Sequence, residues 1–227
     1  MPPPIPPVNK FAGLLGLKNF MNIFVLSEDP VEAAQMQCDK HVVKMVIESG
    51  QILATTHRVL DGYISKSLTV KGGIITRYVL DGVDGSLPKA MYVNHPCVKW
   101  ARESSENYNW LYQHFVALLL EFEFRYGHGH SYEKYVDFLK NLPENISRKE
   151  LTPFAQAMPE EYKDKNAVVA YRNYYLGEKL RFARWSHKRE TPNWIKGYLM
   201  AKIIAESGFS IKESGDIFYN PISKIYN

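Results

Sequence analysis

Residues 29–58 read DPVEAAQMQCDKHVVKMVIESGQILATTHR, and this stretch decides the fold. Asp29-Pro30 is a helix start, because Asp caps free amides and Pro suits the first helical position. Apolar residues then cover most of the circumference of a helix expected to reach Leu60, where Asp61-Gly62 stops it. His41, Lys44, Glu48, Gln51, Thr55 and Arg58 recur at intervals of three and four, so they stack in one polar strip about 100° wide. A helix with so little polar surface belongs in a core, and its strip either meets solvent or lines a cleft. Gly50, in the apolar arc, leaves room for another backbone to approach. Asp39 and His57 fall opposite Gln51, where polar groups need partners. They read as a cap on a neighbouring element and a satisfied core histidine.

Outward from this helix, MNIFVLS (21–27) has the pattern of a short strand. Residues 1–20 are rich in proline and read as a flexible arm, with the folded domain beginning at Met21. Residues 65–81 change period, with β-branched runs on either side of Lys71-Gly72-Gly73, which predicts an inserted β-hairpin. Further helices are expected from about Cys97 to Gly127, over 132–142, over 166–185 and over 192–207. The fold class is therefore mainly α: one helical domain over 21–227, with a short N-terminal strand and an inserted hairpin.

The chain has 227 residues, 45% of them hydrophobic and 13% aromatic, with a formal charge of +4. That length supports a real core, and the charge permits a nucleic-acid or phosphorylated partner without demanding one. Cys38 and Cys97 stand in no metal-ligand spacing, which argues against structural zinc. No apolar run approaches the length of a membrane span, so a cytoplasmic protein without a membrane partner is expected.

Candidate chemistry gathers in four places. Lys40, His41 and Lys44, with Glu48 a turn further on, combine phosphate-binding cations with an imidazole that titrates near neutral pH. His95 precedes a helix start, and with Lys99 and Arg102 it could take a phosphate, with Asn107 supplying hydrogen bonds. Basic and aromatic residues alternate around Lys179, Arg181, Arg184 and Trp185, a pattern that fits backbone contact with base stacking. Gln156 and the Tyr171–Tyr175 region, with Arg172, could cover a base. Each set also has an ordinary structural explanation: helix pairs, dipole-matched cations or a tyrosine-rich packing face. On this reading His41, Glu48 and His95 are the catalytic candidates. Lys40, Lys44, Arg58, Lys99, Arg102, Asn107, Gln156, Arg172 and Arg184 bind substrate or phosphate. No cofactor or metal site is indicated, although Glu48 beside a phosphate is compatible with Mg²⁺.

The runs NIFVLSEDPVEAAQMQCDKHVVKMVIESGQILATTHRVLDG, YVNHPCVKWARESSENYNWLY, PFAQAMPEEY and AYRNYYLGEKLRFARW resemble a family of small proteins from T4-like and cyanobacterial phages. The resemblance spans roughly residues 21–196. It implies a viral origin and a shared site built from Asp39-Lys40-His41 with Lys44, His57-Arg58, Asn94-His95-Pro96, Arg102 with Ser104 and Asn107, and Gln156–Pro159. It implies no reaction, and a viral setting favours work on nucleic acids by association alone. The expectation is a phage-type enzyme acting on nucleic acid or nucleotides, by base, glycosidic or phosphodiester chemistry, in the host cytoplasm. The alternatives are a non-catalytic nucleotide- or nucleic-acid-binding module with a counter-defence role, or a factor that engages a host protein.

Overall fold

In a computed structural model, residues 21–207 are described except 71 and 84, together with 209–211 and 217–219. The contacts divide the chain into one unit ending at Arg189 and another beginning at Glu190. The second unit holds helix α7 (Asn193–Ser207) and two short antiparallel strands, β3 (Phe209–Ile211) and β4 (Ile217–Tyr219). Among the described residues of the first unit, the regular elements are helical apart from one ribbon.

Asp29 starts α1 (Pro30–Gln35) as its sequence predicts, accepting from the amides of Val31 and Glu32. The expected continuous helix is broken, however. Three residues separate α1 from α2 (Asp39–Leu60). The break is held from outside: the Cys38 amide donates to the Tyr175 hydroxyl at 2.9 Å and the Asp39 amide to the Arg184 carbonyl at 2.9 Å. A second expected helix also divides, into α3 (Pro96–Ala101) and α4 (Ser105–Tyr126). Ser104 caps α4 by accepting from the Asn107 amide, an alternative to helix continuation that serine side chains offer. Gly127 ends α4 in the left-handed conformation with φ 77°. The third expected helix over 166–185 stops early, as α6 (Ala167–Tyr174) followed by one π turn, Tyr175–Lys179. The segment over 132–142 is a 3₁₀ turn, Ser131–Tyr135, and one turn of helix, α5 (Val136–Leu139).

Residues 21–27 depart from expectation. They are almost wholly buried and form no strand, and the chain turns at Phe24, where the Leu26 amide donates to the Phe24 carbonyl at 2.8 Å. Strand pairing is replaced locally: the Asn22 Oδ1 accepts from the amides of Ile23 and Phe24 at 2.8 and 3.2 Å. An apolar run threading between helices thus mimics the pattern of a central strand. The predicted hairpin is present as β1 (Tyr63–Leu68) and β2 (Ile74–Val79), paired antiparallel with Tyr63 opposite Val79 and Leu68 opposite Ile74.

The core lies between α2, α3 and α4, with Met45, Ile52, Leu53, Leu111, Phe115 and Leu118 fully buried. Gly50 admits aromatic rings rather than a backbone: an added Cβ would lie 2.7 Å from the Tyr132 ring and 3.1 Å from that of Phe115. His57 and Asp39 find the partners they need. His57 Nε2 lies 2.8 Å from the Tyr108 hydroxyl, which donates onward to the Leu139 carbonyl. Asp39 accepts from Arg125 at 3.0 Å and from the amide and hydroxyl of Ser186 at 2.8 Å each.

Candidate active site

The polar strip of α2 splits into two halves with different work. The half nearer the C-terminus turns onto a loop. Gln51 donates to the Lys89 carbonyl, and Thr55 Oγ1 accepts from the Met91 amide at 3.2 Å. Arg58 donates to the carbonyls of Pro88, Leu87 and Tyr78 at 2.8, 2.9 and 3.2 Å. Arg58 is fully buried, so it braces backbone instead of presenting a guanidinium to phosphate.

The half nearer the N-terminus forms a charged cluster. Glu48 Oε1 pairs with Lys44 Nζ at 2.7 Å, and Oε2 accepts from the Asn22 amide at 2.9 Å. The Glu48 side chain is 12% exposed and that of Lys44 is 47% exposed, so the carboxylate lies just under a surface that carries the ammonium. Burial raises the Glu48 pKa above the ordinary carboxylate value, while Lys44, the Asn22 amide and Lys179 pull against it. Asn22 is itself fixed by its side-chain donation to the Ala157 carbonyl at 2.9 Å.

Lys179 reaches the same place through the π turn. A π turn bonds residues five apart, which brings positions 174 and 179 onto one side. The Lys179 Nζ donates to the Tyr174 hydroxyl at 3.0 Å and sits 4.3 Å from that ring's centre. Burial lowers the Lys179 pKa; Glu178 opposes, while Lys44 and Arg181 add to the lowering. Phe24, with an unusual φ of 37°, stacks on His41 at 4.4 Å and on Tyr174 at 6.2 Å. A non-glycine aromatic residue at positive φ is strained, and strain of this kind concentrates at functional sites.

His41 is part of this aromatic floor. Burial first, then Lys179 and Lys44, lower its pKa to about 3, and its buried Nδ1 has no hydrogen-bond partner among the described residues. It is therefore a neutral ring at physiological pH and carries no exchangeable charge there. His95 is elsewhere. Its Nδ1 accepts from the Cys97 amide at 3.2 Å, capping α3, and burial lowers its pKa.

The other predicted binding residues are dispersed. Lys40 and Lys99 are exposed, and Lys40 lies over the Phe182 ring at 5.6 Å. Arg102 donates to the Val93 carbonyl at 2.6 Å. Asn107 is buried, donating to the Trp100 carbonyl and Thr152 hydroxyl at 2.8 Å each. Gln156 bridges to the Asp164 backbone, donating to its carbonyl at 2.6 Å. Arg172 donates to the Leu26 carbonyl at 3.0 Å, and exposed Arg184 to the Ala183 carbonyl at 2.7 Å. The structure thus pairs Lys44 with Glu48, and brings Lys179, bonded to Tyr174, from a distant part of the sequence into electrostatic reach of both. Asn22 and Phe24 carry no sequence signal for this role; their place follows only from the buried path of residues 21–27.

Among the described residues, no helix is long and apolar enough to cross a membrane, and no group of three or more His, Cys, Asp or Glu side chains could hold a metal ion. Residues 21–134, half of the chain, match the sequence model of a family described as pyrimidine dimer DNA glycosylase. No curated protein and no solved structure matches.

Proposed function

The chain belongs to the pyrimidine dimer DNA glycosylase family, and on that premise we propose that Glu48 is the catalytic carboxylate of an enzyme that removes a linked pyrimidine from duplex DNA. The family implies a DNA-acting glycosylase, so the chemistry is cleavage of a bond between base and sugar. The observation that carries the residue assignment is the Glu48 carboxylate itself. It is nearly buried, paired with Lys44, bonded by the Asn22 amide, and within electrostatic reach of Lys179.

Breaking the N-glycosidic bond leaves the electron pair on the base nitrogen and positive charge at C1′ of the sugar. A preorganised carboxylate stabilises that charge where water is largely excluded. As water attacks C1′, Glu48 takes its proton, and a new C1′–O bond replaces the bond to the base. The raised pKa of Glu48 brings its basicity closer to neutral pH, which suits proton transfer there. Lys44, half exposed, is placed to hold a flanking phosphate. The ring stack of Phe24, His41 and Tyr174 backs the site with flat apolar surface.

A second reading rests on Lys179. Its lowered pKa leaves the amine neutral for more of the time, and a neutral amine beside a carboxylate can attack C1′ in place of water. The lysine nitrogen would then bond to C1′ as the base departs. Loss of a proton from nitrogen and opening of the ring would give an imine.

The test is cleavage of a duplex carrying one pyrimidine dimer. Glu48→Gln keeps the shape and the acceptor for Asn22, and should lower single-turnover cleavage about 10²–10³-fold with DNA affinity little changed. Full activity in this variant overturns the assignment. Borohydride traps an imine and not a water product, so a covalent adduct, mapped by mass spectrometry, selects the second reading. The resemblance to phage proteins supports an infected host cell's cytoplasm as the setting of this activity, with a host protein partner as an addition to it.

A further inference from the structure

We propose that the β1–β2 ribbon is a DNA-binding arm that stands in a groove of the duplex while Glu48 acts nearby. The inference rests on the glycosylase reading and adds a contact surface to it. The ribbon is unusual in leaving both faces uncovered. Leu68, Val70 and Ile74 near its tip are 76%, 108% and 70% exposed, and Tyr63 and Ile64 at its base are exposed as well. A two-stranded ribbon is at best marginally stable alone, so an arm with both faces in solvent is waiting for a surface.

Charge names the surface. Residues 63–80 include Lys66, Lys71 and Arg77 and contain no Asp or Glu. In the observed register Lys66 lies opposite Thr76 and Ser65 opposite Arg77. Side chains alternate along a strand, so the two cations project from opposite faces of the ribbon. A groove has a phosphate wall on each side, and a ribbon standing edge-on within it needs one cation per face. The major groove is about 12 Å wide and admits a two-stranded ribbon. Six residues of strand extend about 20 Å, or roughly six base pairs at about 3.4 Å each. The same charges oppose the competing use of an exposed ribbon, pairing edge to edge with another copy.

The arm is also fixed relative to the site. Arg58, from α2, donates to the Tyr78 carbonyl within β2. Gly62, where the ribbon leaves α2, packs so tightly that an added Cβ would meet the carbonyls of Val79 and Arg58. Glu48 lies ten residues before Arg58 on the same helix, about 15 Å along its axis. DNA held by the ribbon would therefore be registered against Glu48.

The experiment uses the full chain and two changes. Lys66→Glu with Arg77→Glu reverses both ribbon charges, and anisotropy titrations over a salt series compare undamaged and dimer-containing duplexes. The expected result is at least tenfold weaker binding to both, with the slope of log K against log salt reduced by about two. Cleavage at saturating DNA should stay within twofold, and the molecular mass in solution should not change. Unchanged affinity and slope overturn the arm, as does a change in mass, which would mark the ribbon as a contact between copies. As a control independent of folding in that double variant, Val70→Cys takes a fluorophore at the tip, since Cys38 and Cys97 are both buried. Its emission should respond to duplex DNA; silence at saturation counts against the arm. Failure of the two readings is separable. Ribbon-dependent binding without cleavage of dimer-containing DNA removes the glycosylase reading and leaves the arm, whereas cleavage with ribbon-independent binding removes the arm alone.

Discussion

Lowering the pH from 7 to 5 should bring this protein close to unfolding, and three buried histidines set the size of the effect. His41, His57 and His114 are 6%, 4% and 0% exposed. Desolvation lowers their pKa values to about 3, 4 and 4, from 6.5 in the unfolded chain. A group with a depressed folded pKa gives stability that is complete above its unfolded value and lost as pH falls toward the folded one. Between pH 6.5 and 4 the unfolded chain binds three protons that the folded chain refuses. At pH 5 each histidine forfeits about 2 kcal/mol, so the three together remove about 6 kcal/mol. Domains of ordinary stability hold about 5–15 kcal/mol in all. His95 and His130 are shifted the same way by burial and add to the loss. Glu48 is shifted upward and trims it.

Urea denaturation at pH 7, 6 and 5 measures the loss, and calorimetry in buffers of different ionisation enthalpy counts the protons taken up on unfolding. The expected uptake near pH 5 is about three. A stability difference below about 1 kcal/mol between pH 7 and 5, or uptake of less than one proton, refutes the reasoning. The same work bears on catalysis. A resonance from the His41 ring that titrates near 6.5 would return it to the role of proton carrier that its sequence position suggests, and take that role from Glu48.

Three other outcomes follow from named contacts. Glu48→Gln should be no less stable than the parent at neutral pH, because a carboxyl whose folded pKa is raised gives stability that is complete below its unfolded value and lost as pH rises through the folded one; denaturation profiles of the two against pH check this. Arg125→Met removes the partner of two buried carboxylates, Asp39 at 3.0 Å and Glu121 at 2.6 Å, and should lower the unfolding free energy by about 3–5 kcal/mol, far more than Arg189→Met at the rim of the same network. Gly62→Ala would press a Cβ on the carbonyls of Val79 and Arg58, which cannot swing aside as side chains do, and should cost about 1–3 kcal/mol in the same assay.

The fold was readable where a local pattern coincides with a local cause. Asp29 and Gly127 mark helix ends by their own chemistry, and Gly72-Gly73 marks the hairpin. What escaped were breaks imposed from afar. Nothing near Cys38 announces that Tyr175, far along the chain, will accept its amide and end α1. Residues 21–27 read as a strand because apolar alternation reports burial and cannot report whether a neighbouring strand exists. The site divided in the same way. Lys44 and Glu48 were legible as one helix face. Lys179 and Tyr174 were visible only as members of a basic and aromatic segment, because the π turn that aligns them has no sequence signature at single-residue scale.

The strip on α2 also shows why polar residues on one helical face need not share one role. Periodicity fixes the direction in which side chains leave the helix, and what they meet depends on which segment crosses that face. The loop over 87–91 crosses at Gln51, Thr55 and Arg58, and converts them into backbone clamps. Residues 22–24 and the π turn cross nearer the start, where they bring an amide to Glu48, an aromatic ring to His41 and an ammonium within electrostatic reach of both. The clamped half can hold a rigid ribbon only because its polar groups are spent on carbonyls. The other half keeps Glu48 just under the surface and Lys44 at it, which the proposed chemistry requires. A variant that frees the loop, such as Thr55→Val, should therefore disturb DNA binding through the ribbon before it disturbs the chemistry at Glu48. Anisotropy titrations and single-turnover rates, measured side by side, separate the two.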